Sequence, residues 1–258
     1  MIVENNPALL TPQNSTSDDP EASGKDDKVP STEPETMSIK SMLCRVYLVA
    51  FCVYAHAYNL VYYNILSVVP FFLKKVIKAD PLIISYLNVS LTALIAVCTL
   101  IMSFIFQTLD KILSWLTCRM IFAVVPMILQ MVFLVGLSTI HTITTGIFIL
   151  SLSAIAGSTL FSGSIYTINY EIDPKNSPLL ISVFNSCGQI AGFIGPIMMA
   201  AITTTDPEIS DYDSVYRQRW AYFFYAVAGI AASGFLAIVL AYLIKPEEWV
   251  NRDREKQN

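Results

Sequence analysis

The run LIISYLNVSLTALIAVCTLIMSFIF, Leu82–Phe106, decides the fold: it is twenty-five residues long and carries no charge. A bilayer core about 30 Å thick needs roughly 20 apolar residues at about 1.5 Å rise per residue, so this run predicts a membrane-spanning helix. Working outward, five more stretches meet that length: Met42 to Val69, Leu116 to Leu137, Thr142 to Asn169, Pro178 to Thr203 and Trp220 to Ile244. Charge and proline collect in the connectors Lys74 to Pro81, Asp110 to Ser114, Glu171 to Asn176 and Asp206 to Arg219, where helices are expected to end. A barrel is the structural alternative, but the runs are too long for strands and lack period-two alternation. Composition agrees, since 54% hydrophobic against 14% charged residues is too oily for an ordinary soluble core. The expected fold is therefore an all-α, polytopic membrane protein built as a six-helix bundle.

Three regions are expected: a polar tail over 1–41, the transmembrane bundle over 42–244, and a charged tail over 245–258. The first is rich in Pro, Ser, Thr, Asp, Glu and Asn and buries too little apolar surface to offset the entropy of ordering. It is read as a disordered cytosolic tail. It carries a net charge of −5, against +1 for the remainder. With no cleavable signal ahead of it, the first apolar stretch is expected to act as an internal signal anchor.

Lysine and arginine counted on alternate sides give eleven with both termini in the cytosol and five on the opposite face. That excess orients both termini toward the cytosol. Tyr216, Trp220, Tyr222, Tyr242 and Trp249 bracket the last span as an interfacial aromatic belt would. Plasma, lysosomal and vesicular membranes all fit spans of this length.

Several chemistries are excluded. No basic stripe suits a nucleic acid. The five cysteines, Cys44, Cys52, Cys98, Cys118 and Cys187, are spread through apolar runs without metal-ligand spacing and read as reduced packing residues. No phosphate-binding glycine loop or nucleophile elbow is present. No catalytic residue, metal site or cofactor is therefore expected.

Mid-span polarity is neutral and ordered. His56, Asn59, Tyr63 and Ser67 share one helical face, as do Ser151, Ser158, Ser162, Tyr166 and Asn169, and again Ser182, Asn185, Ser186 and Gln189. Each stripe has two readings: interhelical packing through modest hydrogen bonds, or the wall of a wet solute path. His56 is a candidate hydrogen-bond or proton site, with a bond to a neighbouring helix the blander reading. His141 falls in a connector and reads as solvated. The run GQIAGFIGP supplies Gly188, Gly192, Gly195 and Pro196, which permit close backbone approach and a bend.

Four runs together resemble a known family: YNLVYYNILSVVPFFLKK from Tyr58, YTINYEIDP from Tyr166, FNSCGQIAGFIGP from Phe184, and RWAYFFYAVAGIAASG from Arg219. They are similar to the carboxy-terminal six helices of the anion-transporting branch of the major facilitator superfamily, which includes sialin, the sodium-phosphate cotransporters and the vesicular glutamate transporters. The resemblance covers approximately residues 40 to 250. It implies a secondary active transporter, or the carboxy-terminal half of one, moving organic anions or phosphate by alternating access on a sodium or proton gradient. It assigns Asn59, Tyr62, Tyr63 and Pro70 to the family's seventh helix, with Tyr63 lining the path. Asn185, Gly192, Gly195 and Pro196 match the small-residue and Gly-Pro pattern used for packing and gating. Tyr58 stands where glutamate-carrying members have arginine, and Asn169 and Glu171 where histidine and aspartate are common, so a charge-assisted partner for an anion is lost. The expected path residues are thus Tyr58, Asn59, Tyr63, Asn169, Asn185 and Gln189. The expected partners are the lipid bilayer, a small anionic solute, a coupling ion, and a second six-helix bundle from another chain or a longer form of this one. An alternative from another class is a non-transporting half-bundle that binds or regulates a full-length relative. A channel has less behind it, since no filter-like loop or ring of charges appears.

Overall fold

The computed structural model describes residues 46–163, 168, 176–204 and 211–244, all within one compact unit, Ser38–Asn258. The tail 1–41, the segment 245–258, and Asn169, Tyr166 and Glu171 lie outside the described residues, as does the side chain of Ser162. Among the described residues six helices carry the fold: α1 Val46–Lys75, α2 Pro81–Leu109, α3 Trp115–Ser138, α4 Ile143–Gly163, α5 Ser177–Thr203 and α6 Tyr212–Ile244. Among the described residues there is no strand. By length and composition α1, α2, α3, α5 and α6 can each cross a bilayer, and α4 contributes a shorter apolar stretch, Ile143–Thr159. The protein is a polytopic helical membrane protein.

Local chemistry sets the helix ends. Asp80 caps α2, its Oδ1 accepting the Leu82 N–H at 2.7 Å, with Pro81 in the first turn where its missing N–H costs nothing. Ser114 caps α3 by accepting from the Thr117 N–H at 3.4 Å. Along α2, which is mostly exposed, Ser85, Thr92, Thr99, Ser103 and Thr108 donate to carbonyls four residues back, so their hydroxyls are satisfied without water.

Two boundaries differ from the sequence reading. Pro70 was expected to close the first span near Val69, yet α1 continues to Lys75. The helix widens into a π turn over Asn64–Val68, with the Val69 N–H bonded to the Asn64 carbonyl, and Pro70 then falls in the first turn of the next helical segment. The wide turn absorbs the donor and the space that a proline denies a regular helix. At the other end, α6 begins at Tyr212, inside the expected connector. Its polar first turns are held by two arginines. Arg217 donates to the Ile140 carbonyl in the α3–α4 connector at 2.8 Å, and Arg219 donates to the Ile202 carbonyl in the last turn of α5 at 3.4 Å, an oxygen left over at a helix end.

α1 packs on α5 and α6, α2 on α4, and α3 on α4 and α6. The α1–α6 seam is aromatic. Phe72 lies 5.3 Å from Trp220 and 5.1 Å from Phe224, centroid to centroid, and all three are fully buried. Trp220 therefore belongs to the core, a correction to its expected place in an interfacial belt. Higher in this seam the backbones nearly touch, since a Cβ on Gly234 would stand 2.5 Å from the Ala57 Cβ. Near the start of α3, Arg119 is buried, 2.9 Å from Asp110 and 4.1 Å above the centre of the Phe106 ring.

Candidate solute path

Two sets of polar side chains cross the bundle, and they differ in what surrounds them. The first is buried. Ser153 donates to the Gln130 Oε1 at 2.6 Å, and the Gln130 amide donates to the Ser153 carbonyl at 2.8 Å, joining α3 to α4. Tyr58 donates to the Gly157 carbonyl at 3.2 Å, and Tyr54 donates to the Ala123 carbonyl at 2.7 Å. Pro126 lies inside α3 and supplies no N–H to the Phe122 carbonyl, one residue before Ala123. Ser158 is fully buried and donates to the Ile155 carbonyl on its own helix. The Gln130, Ser153, Tyr54 and Tyr58 bonds hold helices together.

The second set lies along α1 and α5 and is partly open. His56 Nδ1 stands 3.3 Å from the Cys187 carbonyl oxygen, a position suited to the Nδ1–H tautomer as donor. Asn59 donates to the Ala55 carbonyl at 2.8 Å while its amide fills the space over Gly188, where a Cβ would lie 2.5 Å from Nδ2. The Tyr63 ring rests on Gly192, and its hydroxyl donates to the Gln189 Oε1 at 2.7 Å. Asn64 presses on Gly195, where a Cβ would lie 2.9 Å from Oδ1. Each glycine of α5 thus receives one polar or aromatic side chain from α1. Pro196 adds a second property, because it supplies no N–H to the Gly192 carbonyl and leaves the helix easier to bend there. Toward the open edge of this seam, Ser67, Ser182, Asn185, Ser186 and Gln189 are exposed.

The predicted residues therefore divide. The structure brings His56, Asn59, Tyr63, Gln189, Gly188, Gly192 and Gly195 into one seam, with Asn185 on its exposed side. It sets Tyr58 apart, buried against α4. Asn169 lies outside the described residues. Sequence reasoning missed Asn64, Gln130 and Ser153. Asn64 is buried at the π turn, with its amide donating to the Leu60 carbonyl at 2.6 Å and its Oδ1 unbonded among the described residues. A lone glutamine in an otherwise apolar run was the available signal for Gln130.

A family model described as Major Facilitator Superfamily matches residues 8–196. The chain belongs to the major facilitator superfamily. Members of this superfamily are membrane transporters, and the helices described above are those of a multi-pass membrane protein. The matched region ends at Pro196, so it takes in the π turn of α1 and every glycine of the α1–α5 seam. No curated protein matches the chain in sequence.

Proposed function

We propose that this major facilitator protein moves a small organic anion or phosphate by alternating access, coupled to a sodium or proton gradient, with the α1–α5 seam as one wall of the path. The observation that carries the reading is the Tyr63–Gln189 hydrogen bond. It joins the polar stripes of two helices at an exposed edge, next to the Gly192–Pro196 stretch. A polar face that only packed helices would be enclosed by them, as the Gln130–Ser153 pair is.

In this proposal a second six-helix bundle covers the open edge, and the solute is held between the two near the membrane midplane. Solute recognition falls to neutral groups: the amides of Asn185 and Gln189 donate, and the Tyr63 hydroxyl holds the Gln189 carboxamide oxygen so that its NH2 faces the path. Gly188, Gly192 and Gly195 let α5 slide against α1, and Pro196 lets it bend. His56 supplies a hydrogen bond between the helices. The amino-terminal tail and the carboxy-terminal tail face the cytosol, and the protein resides in the plasma membrane or a lysosomal or vesicular membrane.

Uptake by the full chain in liposomes tests the reading, with a panel of labelled organic anions and phosphate offered under inward sodium and inward proton gradients. The expected result is accumulation of one solute under one gradient, lowered at least tenfold in Tyr63→Phe. No accumulation under either gradient, from protein that remains folded and correctly inserted, sinks it.

A further inference from the structure

A cavity of about 270 Å³ opens between the carboxy-terminal end of α1 and the first turns of α2. None of the seam residues His56, Asn59, Tyr63, Asn64, Asn185 or Gln189 lines it. Pro70, Phe71 and Ile84 form its apolar part, while Lys74, Ser85 and Asn88 give it a polar side. The size suits a small ligand, and the mixture of walls suits a molecule with one charged end and one apolar body.

The polar groups fix the sign of that charge. Lys74 is exposed, sits in the last turn of α1, and has no ion pair among the described residues. The half-buried Asn88 side chain makes no hydrogen bond to a described residue. Ser85 has its proton committed to the Pro81 carbonyl at 2.9 Å. The site thus offers an ammonium and an amide as free donors.

Neither nearby acid pairs with Lys74: Asp80 turns one carboxylate oxygen to the α2 cap, and the exposed Asp213 pairs with Lys78 at 3.2 Å. Lys75 adds a further positive charge in the same turn as Lys74. An anion there also gains from ammonium-assisted hydrogen bonds, stronger than those between neutral groups.

The geometry points to a binding site for a phosphate or carboxylate anion attached to an apolar body, its anionic group between Lys74 and Asn88 and its apolar part against Phe71 and Ile84. Such an anion has two sources, a soluble organic anion or the headgroup of an acidic phospholipid. Occupancy does not depend on the transport reading. If that reading holds as well, a soluble ligand here marks a capture site ahead of the path.

The test is acetylation of lysines by a water-soluble reagent, followed residue by residue by mass spectrometry. The full chain sits in phosphatidylcholine nanodiscs, with or without phenyl phosphate, and separately in discs containing phosphatidylglycerol. Lys75 is the internal control for general surface electrostatics. At phenyl phosphate about four times its dissociation constant, Lys74 acetylation falls roughly fivefold while Lys75 changes little. Protection by phenyl phosphate in phosphatidylcholine identifies a soluble ligand, and protection only with phosphatidylglycerol identifies a lipid. Asn88→Leu removes either protection and leaves the Lys75 rate unchanged. Equal effects on Lys74 and Lys75, or none in either arm, overturn the proposal. Because nothing is transported in this assay, protection without liposome uptake faults only the transport reading, and uptake without protection faults only this site.

Discussion

The two faces of α1 meet their neighbours by opposite means. Toward α6 the contact is aromatic and apolar: Phe72, Trp220 and Phe224 interlock, and Gly234 brings the backbones together at Ala57. Toward α5 the same helix presents Asn59, Tyr63 and Asn64 to a row of glycines and His56 to the Cys187 carbonyl. Inside a bilayer, helices gain no hydrophobic stabilisation from leaving lipid for one another, so shape decides the first face. The second face adds hydrogen bonds from His56 to the Cys187 carbonyl and from Tyr63 to Gln189, and such bonds average about 0.6 kcal/mol in membrane proteins. One helix thus meets one neighbour by shape and the other by shape together with polar contacts.

The largest effect is expected at Gly234. A Cβ there meets the Ala57 Cβ and the Tyr54 backbone, neither of which can turn aside. Gly234→Leu is expected to destabilise the protein by about 3 kcal/mol or more, read as lost monodisperse protein on detergent gel filtration and a lower thermal midpoint. Gly229→Ala on the same helix is the control, since nothing lies within 4 Å of its Cβ. It is expected to leave the midpoint unchanged or raise it, as alanine is favoured over glycine by up to about 1 kcal/mol in a helix.

Gly195→Ala comes next. Its Cβ meets an Asn64 amide that is buried and pinned to the Leu60 carbonyl, so a cost of about 1–2 kcal/mol is expected, with a larger loss of uptake than of stability. Asn64→Ala in the same chain is expected to restore part of the thermal midpoint. Failure of that rescue would show that the two residues do not press on each other.

Gly188→Ala is expected to be milder, about 1 kcal/mol, because the Asn59 amide it meets, although bonded to the Ala55 carbonyl, is only half-buried and has room to turn, and Asn59→Ala should relieve most of the cost in a double-mutant cycle. Tyr63→Phe is the smallest in stability, within about 0.5 kcal/mol by thermal melt, since the Gln189 bond is exposed. Its consequence is confined to uptake.

What the sequence reveals and what it hides follow from range. Spans such as Leu82–Phe106 are legible because the lipid sets their length and every residue in the run reports on it. The glycine-proline run of α5 is legible for the same local reason, as is the polar stripe of α1. Partners across space are not. Nothing near Gln130 names Ser153, and nothing near Tyr58 says that it turns to Gly157 instead of joining Tyr63. The π turn at Asn64–Val68 hides because a proline normally ends a helix, and only a packed neighbour such as Gly195 makes the wider turn worth forming. The early start of α6 hides because Arg217 and Arg219 look like loop charges until the carbonyls of Ile140 and Ile202 are beside them.

A solute path along α1 and α5 requires their shared edge to be wet. Labelling of Gln189→Cys by a membrane-impermeant thiol reagent, quantified at the peptide level in liposomes and set against Leu240→Cys on α6, measures this directly. Both positions are exposed in the bundle. The expected result is fast labelling at 189, slowed by the transported solute, and little at 240. Equal, solute-insensitive labelling at the two positions would contradict it.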